Sequence, residues 1–480
     1  MNIKAVLNTL GRLLQIEAAL MVLPLAVALI YGEDTHPFLL TILIVGIVGT
    51  AFTMIKKKNS LTFEREGFII VSLSWLLMSV FGCLPFVFSQ AIPNFVDALF
   101  ETVSGFTTTG ASILTNFDTM NRSLIFWRAF THWIGGMGVL VFAMAVLPMT
   151  NSRSVHILKA ETTGPTKGGK LVPKMRSTAT ILYILYFSLT VVEMIFLLFG
   201  KMPLFEAVTY SFATAGTGGF SMSASGIAGY NSPYLNVVIS VFMLLFGVNF
   251  NIYYMMILGN IKSFWKNEEN RWYMIIVAAS TLFIAVNILS LFSNFAEALM
   301  QSFFHVSSII TTTGFGIADF TLWPSASQYV LVLLMFAGAC AGSTGGAIKV
   351  ARIIILYKSI RRSINKMIRP NQVEVIRLNG APLDEDTVSA THTFFSLYMF
   401  LLLGSGLLVC LDGFDFTTSF TAAIACLSNI GPGLGLVGPM GNFAFFSPAI
   451  KLLLSLLMLM GRLELFSVVI MFSPKAWRRR

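Results

Sequence analysis

Long apolar runs recur along the whole chain. Runs of about 20 such residues match a hydrocarbon core roughly 30 Å thick. They fall near residues 12–31, 37–55, 67–90, 123–149, 177–200, 233–261, 272–293, 326–360, 389–411 and 446–472. The pattern predicts ten membrane-spanning helices. Four shorter apolar segments lie between them, near 94–106, 203–215, 296–310 and 415–428. Each is too short to cross a bilayer, so each predicts a half-helix that dips in and returns on the same side.

Composition supports one polytopic membrane domain. Of the 480 residues, 56% are hydrophobic and 11% are charged, against about 25% charged in a soluble domain. The mean hydropathy is +0.78. Almost no stretch is polar enough to form a separate soluble domain. The cysteines Cys83, Cys340, Cys410 and Cys426 all lie in apolar segments and form no CxxC pair. They read as small core residues. Lys4 and Arg12 precede the first apolar run as in a signal peptide, but no small-x-small site ends it. A retained helix is expected there.

The net charge of +10 belongs to particular loops rather than to a nucleic-acid surface. With a cytoplasmic N-terminus, the inner loops hold Lys56, Lys57 and Lys58, then Arg153, Lys159, Lys167, Lys170, Lys174 and Arg176. Further inner positions are Lys262, Lys266 and Arg271, then Lys358, Arg361, Arg362, Lys366, Arg369 and Arg377. The tail carries Lys475, Arg478, Arg479 and Arg480. The outer loops hold Glu33, Asp34, Asp118, Asp319 and Asp412, with few bases (Arg122, Lys201). This obeys the positive-inside rule only if the four short segments are re-entrant. Both termini are then cytoplasmic.

The re-entrant segments end in related strings. They read Ser104-Gly-Phe-Thr-Thr-Thr109-Gly110-Ala111, Thr214-Ala-Gly-Thr217-Gly218-Gly-Phe-Ser221, Thr311-Thr-Thr313-Gly314-Phe-Gly316 and Ser428-Asn429-Ile430-Gly431-Pro-Gly433. Gly110, Gly218, Gly314 and Gly431 are 108, 96 and 117 residues apart. Self-similarity at a near-constant period is an architectural signal. The fold class expected is an all-α polytopic membrane protein with pseudo-fourfold symmetry about one ion pore. Two extra helices occupy 1–62. Helix–pore-loop–helix repeats occupy 63–150, 177–262, 270–365 and 387–474, and a basic tail 475–480.

The strings suit a cation filter. An ion entering a membrane must exchange its hydration shell for fixed oxygens, and backbone carbonyls supply these without net charge. Glycine permits the backbone angles that aim successive carbonyls at one axis. Threonine hydroxyls add oxygens or brace the strand. The negative C-terminal end of each half-helix favours a cation. No ring of carboxylates sits at the strings, which points to a monovalent ion. Asp97, Glu101, Glu206, Glu297 and Asp415 lie near half-helix starts, where capping of the helix dipole is expected, although together they would also attract cations. His132 and His305 have no metal-ligand partner at useful spacing and read as structural. No HExxH, GxSxG or paired-Asp constellation appears, which argues against an intramembrane enzyme.

The sequence resembles the Trk/Ktr/HKT superfamily of potassium transporters, most closely its bacterial TrkH branch, over nearly the whole chain. The motifs that carry the likeness are TTTGAS, His132-Trp-Ile-Gly-Gly-Met-Gly138, TTTGFG, Ala341-Gly-Ser-Thr-Gly-Gly-Ala-Ile-Lys-Val-Ala-Arg352, Ser428-Asn-Ile-Gly-Pro-Gly-Leu-Gly435 and Gly461-Arg-Leu-Glu464. The resemblance implies potassium uptake through a filter at Thr109, Gly110, Thr217, Gly218, Thr313, Gly314, Asn429, Ile430 and Gly431, with potassium bound there and no organic cofactor. In plant relatives a serine at the first-loop glycine goes with sodium preference; this chain keeps Gly110. The small-residue stretch 337–346 interrupts the second helix of the third repeat. By resemblance it is a gate below the filter, formed by Gly338, Gly342, Ser343, Thr344, Gly345 and Gly346, with Arg462 beside it.

Ala347 stands where many relatives continue with a third glycine. Lys349 and Arg352 fit equally with snorkelling to the interface or with gating. The resemblance further implies a bacterial plasma-membrane location, a homodimer, and a cytosolic nucleotide-binding ring of the TrkA or KtrA kind. The basic loops 151–176 and 358–377 would meet that ring or anionic lipid. A symporter coupled to sodium or protons is the competing mechanism, with Glu17 and Glu193 as its intramembrane acids.

Overall fold

The computed structural model describes residues 3–55, 64–115, 117, 120–138, 175–223 and 225–477. Lys56–Lys58, Asp118, most of loop 151–176, the far half of the span at 123–149 and Arg478–Arg480 lie outside the described residues.

The fold is helical, as the apolar runs predict, and its only described strands form a two-residue hairpin. Helices α1 (Ile3–Leu20) and α2 (Val22–Tyr31) make one long span, and α3 (His36–Met54) returns beside it. The Asn8 amide donates to the Thr53 carbonyl at 2.8 Å, tying α1 to α3. Four pseudo-symmetric units follow. The first holds α4 (Glu64–Gly82) with its short extension α5 (Leu84–Phe88), half-helix α6 (Phe95–Phe106) and α7 (Arg122–Gly136). The second holds α8 (Met175–Phe199), half-helix α9 (Leu204–Ala215), α10 (Pro233–Phe246) and α11 (Phe250–Ile257). The third holds α12 (Glu268–Asn287), half-helix α13 (Phe295–Ile310), α14 (Ser325–Ala337) and α15 (Val350–Ile368). The fourth holds α16 (Glu385–Cys410), half-helix α17 (Phe416–Leu427), α18 (Pro448–Arg462) and α19 (Phe466–Phe472).

The half-helices run 12, 12, 16 and 12 residues, about 18–24 Å at 1.5 Å per residue, so none spans the core. Three start on a side-chain cap: Asn94 accepts from Val96 N, Asn294 from Glu297 N, and Asp415 from Thr418 N. Glu297 also reaches back past the cap to accept from Ser293 N. The Thr418 bonds hold the Asp415 carboxyl below its ordinary range.

The ten expected spans are less continuous than their apolarity suggests. Five described helices are long and apolar enough to cross, or six if a bent pair counts as one. That pair is α10–α11, bent by 90° at Gly247–Asn249 inside the run expected at 233–261. The run expected at 446–472 breaks after Arg462, where Glu464 (φ 52°) and Leu465 (φ 64°) leave the helical region. Periodicity and apolarity cannot mark such breaks. The freed backbone groups find partners only in the folded protein.

The hairpin pairs Arg377 with Pro382 and Leu378 with Ala381 around Asn379 and Gly380, both at positive φ. Asn-Gly is the sequence such a turn demands.

Candidate functional site

All four half-helices end in one capping motif. Thr109 N donates to Ser104 O, Gly218 N to Ala213 O, Thr313 N to Ser308 O and Ile430 N to Ala425 O, all at 2.8–2.9 Å. One residue earlier, Thr108, Thr217, Thr312 and Asn429 hold φ of 54°, 55°, 59° and 55°. This is a Schellman-type cap, whose left-handed position is normally glycine or asparagine. A β-branched residue there is a genuine outlier, of the kind that collects at functional sites. Two residues later Gly110, Gly219, Gly314 and Gly431 hold φ of 81°, 75°, 83° and 94°.

These glycines interlock around a closed ring. A Cβ on Gly110 would overlap the carbonyl oxygen of Gly218, one on Gly219 that of Thr313, and one on Gly314 that of Ile430. One on Gly431 would lie 2.7 Å from the oxygen of Thr109. Each repeat thus presses its glycine against the carbonyl of the next, and the fourth meets the first. A cavity borders all four glycines and is also lined by Arg128 and Asn442.

The ring corrects the expected register of the second repeat. Gly219, not Gly218, occupies the place of Gly110, Gly314 and Gly431. Gly218 corresponds to Thr109, and Thr217 to Thr108. Sequence offers two adjacent glycines there, and only the cap hydrogen bonds choose between them. A Cβ on Gly218 would overlap the His132 ring. His132 Nδ1 lies 2.8 Å from Gly105 O, so that nitrogen carries the proton.

The threonines brace the strands. Thr107 and Thr109 hydroxyls meet at 2.8 Å, as do Thr311 and Thr313. Asn429 Nδ2 donates to Thr109 Oγ1 and to Met458 O. The acid Glu101, expected as a cap, sits deep in α6 and pairs with Arg128 at 2.5 Å. It also accepts from Ser112 Oγ and Ile113 N, and Arg128 donates to Ser221 O. This buried pair therefore props the strands beyond the first and second strings. Asp97 likewise pairs with Lys451 at 2.7 Å rather than capping alone.

The loop between α14 and α15 bonds to the second, third and fourth repeats. Gly346 N donates to Thr312 Oγ1 at 2.8 Å, and Ala347 N to Ser428 O at 3.0 Å. Cys340 N donates to Gly247 O and Phe250 N to Gly342 O, satisfying groups freed by the α10–α11 bend. Thr344 Oγ1 donates to Phe246 O. Ser343 closes a local turn onto Cys340 O, and Gly345 N donates to the Ser343 hydroxyl. Arg462 donates to Thr344 O and Gly136 O at 2.6 Å and also to Gly135 O. It links the loop to the first repeat.

The loop carries positive φ at Gly338, Gly342, Ala347 and Lys349. Lys349 and Arg352 do not snorkel. Arg352 is buried and Lys349 partly so, both turned inward onto Glu464 at 2.6 and 3.6 Å. Glu269, which sequence reading passed over, accepts from both Ala341 N and Ala351 N. Its one sequence signal was a charge at the mouth of an apolar run.

Comparison with known proteins follows the same lines. Residues 35–479 match the family described as TrkH, cation transport protein. The chain is 36% identical to the Trk system potassium uptake protein TrkH of Salmonella typhimurium over 487 residues, covering 100% of both. It is 31% identical to the Trk system potassium uptake protein TrkG of Escherichia coli, over 99% of each. The crystal structure of the potassium transporter TrkH from Vibrio parahaemolyticus matches with a TM-score of 0.89 at 31% identity, covering 100% of each chain.

Proposed function

Since the chain belongs to the TrkH family of cation transport proteins, we propose that it takes up potassium through a pore filtered by its four loops. The filter is the ring of carbonyls from Thr109, Gly218, Thr313 and Ile430, followed by Gly110, Gly219, Gly314 and Gly431. The observation that carries this reading is the cyclic packing of each glycine against the next repeat's carbonyl. Four loops closing on one another supply convergent dipoles around an axis, which is what dehydrating a monovalent cation requires.

Loop 338–349 and Arg462 form the gate. The loop crosses below the filter strings, and a guanidinium there repels cations. The protein works as a homodimer in the bacterial plasma membrane, with cytoplasmic termini. A cytosolic nucleotide-binding ring shifts the loop. The Trk-type resemblance and the basic cytoplasmic loops support these assignments.

Potassium symport is the second reading. Glu17 is fully buried in α1, and its carboxylate oxygens have no hydrogen-bond partner among the described residues. An unpaired acid at membrane depth is a candidate proton carrier.

The test is rubidium-86 uptake into liposomes holding the purified chain. Uptake driven by membrane potential alone, competed by potassium and not sodium, and made sodium-permissive by Gly110→Ser, is the expected result. A requirement for an imposed proton or sodium gradient would select the symporter. Indifference to Gly110→Ser would remove the filter assignment.

A further inference from the structure

The gate loop leaves α14 at Ala337 and rejoins helix at Val350. Near its two ends, Ala341 N and Ala351 N point at one atom, Oε1 of Glu269, at 2.6 and 3.1 Å. These amides are ten residues apart in sequence, and a single carboxylate oxygen brings them together. Ala351 also lies in the first turn of α15, where a negative charge is favoured by the exposed amides and the helix dipole. Glu269 is buried, so water does not compete for these bonds.

Glu269 also sits at a junction. Its neighbour Glu268 pairs with Lys358 of α15 at 2.5 Å, and Glu268 N donates to Asn379 Oδ1 in the hairpin turn at 2.7 Å. One turn of α12 therefore holds the loop from Glu269 and the 377–382 hairpin from Glu268. A displacement of the hairpin pulls on the turn that holds the loop.

We propose that Glu269 is a positioning residue: its carboxylate clasps both ends of the interrupting loop and keeps it across the conduction path. This rests on the reading of loop 338–349 as the gate. Among the described residues Glu269 bonds to the loop and not to the filter strings, so it acts on how often the path is open and not on which ion passes.

The experiment compares rubidium-86 uptake into liposomes containing the full chain alone, for wild type, Glu269→Gln, Glu269→Ala and Arg462→Ala. Selectivity is read in parallel as competition by potassium and by sodium. The expected result is a several-fold rise in uptake for Glu269→Ala and a smaller rise for Glu269→Gln, whose neutral amide oxygen accepts more weakly. The potassium-over-sodium preference stays at the wild-type value in both. If Glu269→Ala does not yield folded protein, the isosteric Glu269→Gln decides by the same comparison. A rise for Arg462→Ala with none for the Glu269 variants overturns the clasp and leaves the gate reading standing. No rise in any variant overturns the gate reading and the clasp with it. A rise accompanied by lost selectivity overturns the positioning role, because Glu269 would then be acting through the filter.

Discussion

The side-chain amide of Asn429 donates to the hydroxyl of Thr109 at 2.9 Å, joining residues 320 apart in sequence. The bond closes the seam between the fourth and first strings, both buried from solvent. The other three repeats carry threonine at this position. Asparagine reaches farther and tolerates the left-handed backbone better, so the repeat that must close the ring uses it.

Replacing Asn429 with leucine removes that bond and leaves the Thr109 hydroxyl short of a buried donor. The expected cost is about 1–3 kcal/mol, read as a lowered unfolding temperature in detergent. Potassium preference over sodium should fall as well. Unchanged preference in a folded Asn429→Leu variant would show that the seam is structural only.

The register of the second string makes a sharper prediction. Gly219→Ala puts a Cβ against the Thr313 carbonyl at φ 75°. The backbone penalty alone is about 1–2 kcal/mol, enough for roughly a tenfold change in ion preference. Gly110→Ala and Gly314→Ala should behave alike. Gly218→Ala meets the His132 ring instead, so His132→Ala should partly restore it and should not restore Gly219→Ala. Restoration of both by His132→Ala would refute the register.

Ala347 sits at φ 56° in the gate loop, a conformation that costs a non-glycine residue about 1–2 kcal/mol. The strain favours leaving the loop's present shape. Ala347→Gly should therefore lower uptake by the chain alone, by about fivefold for 1 kcal/mol. Higher uptake would mean that the loop relaxes elsewhere when it moves.

The Arg128–Glu101 pair is buried at both ends. Arg128→Leu leaves Glu101 charged and dry, and breaking such a pair costs about 3–5 kcal/mol. Removing both charges with Arg128→Leu and Glu101→Gln should cost less than the sum of the single changes. Thermal unfolding of the four proteins in the cycle measures the difference, and simple additivity would deny the coupling.

Sequence alone determined the polytopic helical class, the four re-entrant segments and the interrupted helix in the third repeat. Apolar length, loop charge and glycine-threonine strings are local signals that the membrane makes reliable, because hydrocarbon admits few alternatives. Tertiary structure decided the rest. The Gly247 bend and the Glu464 break lie inside apolar stretches that read as continuous helix. The loop satisfies the backbone groups freed at the bend, and Arg352 holds the Glu464 side chain at the break. The register at Gly218–Gly219 depends on a cap hydrogen bond and on carbonyls supplied by another repeat. Glu101 looked like a capping acid and Glu269 like nothing in particular, since their partners, Arg128 at one and the amides of Ala341 and Ala351 at the other, are near only after folding. A buried charge takes its meaning from whatever compensates it, and in this protein the compensating groups come from distant parts of the chain.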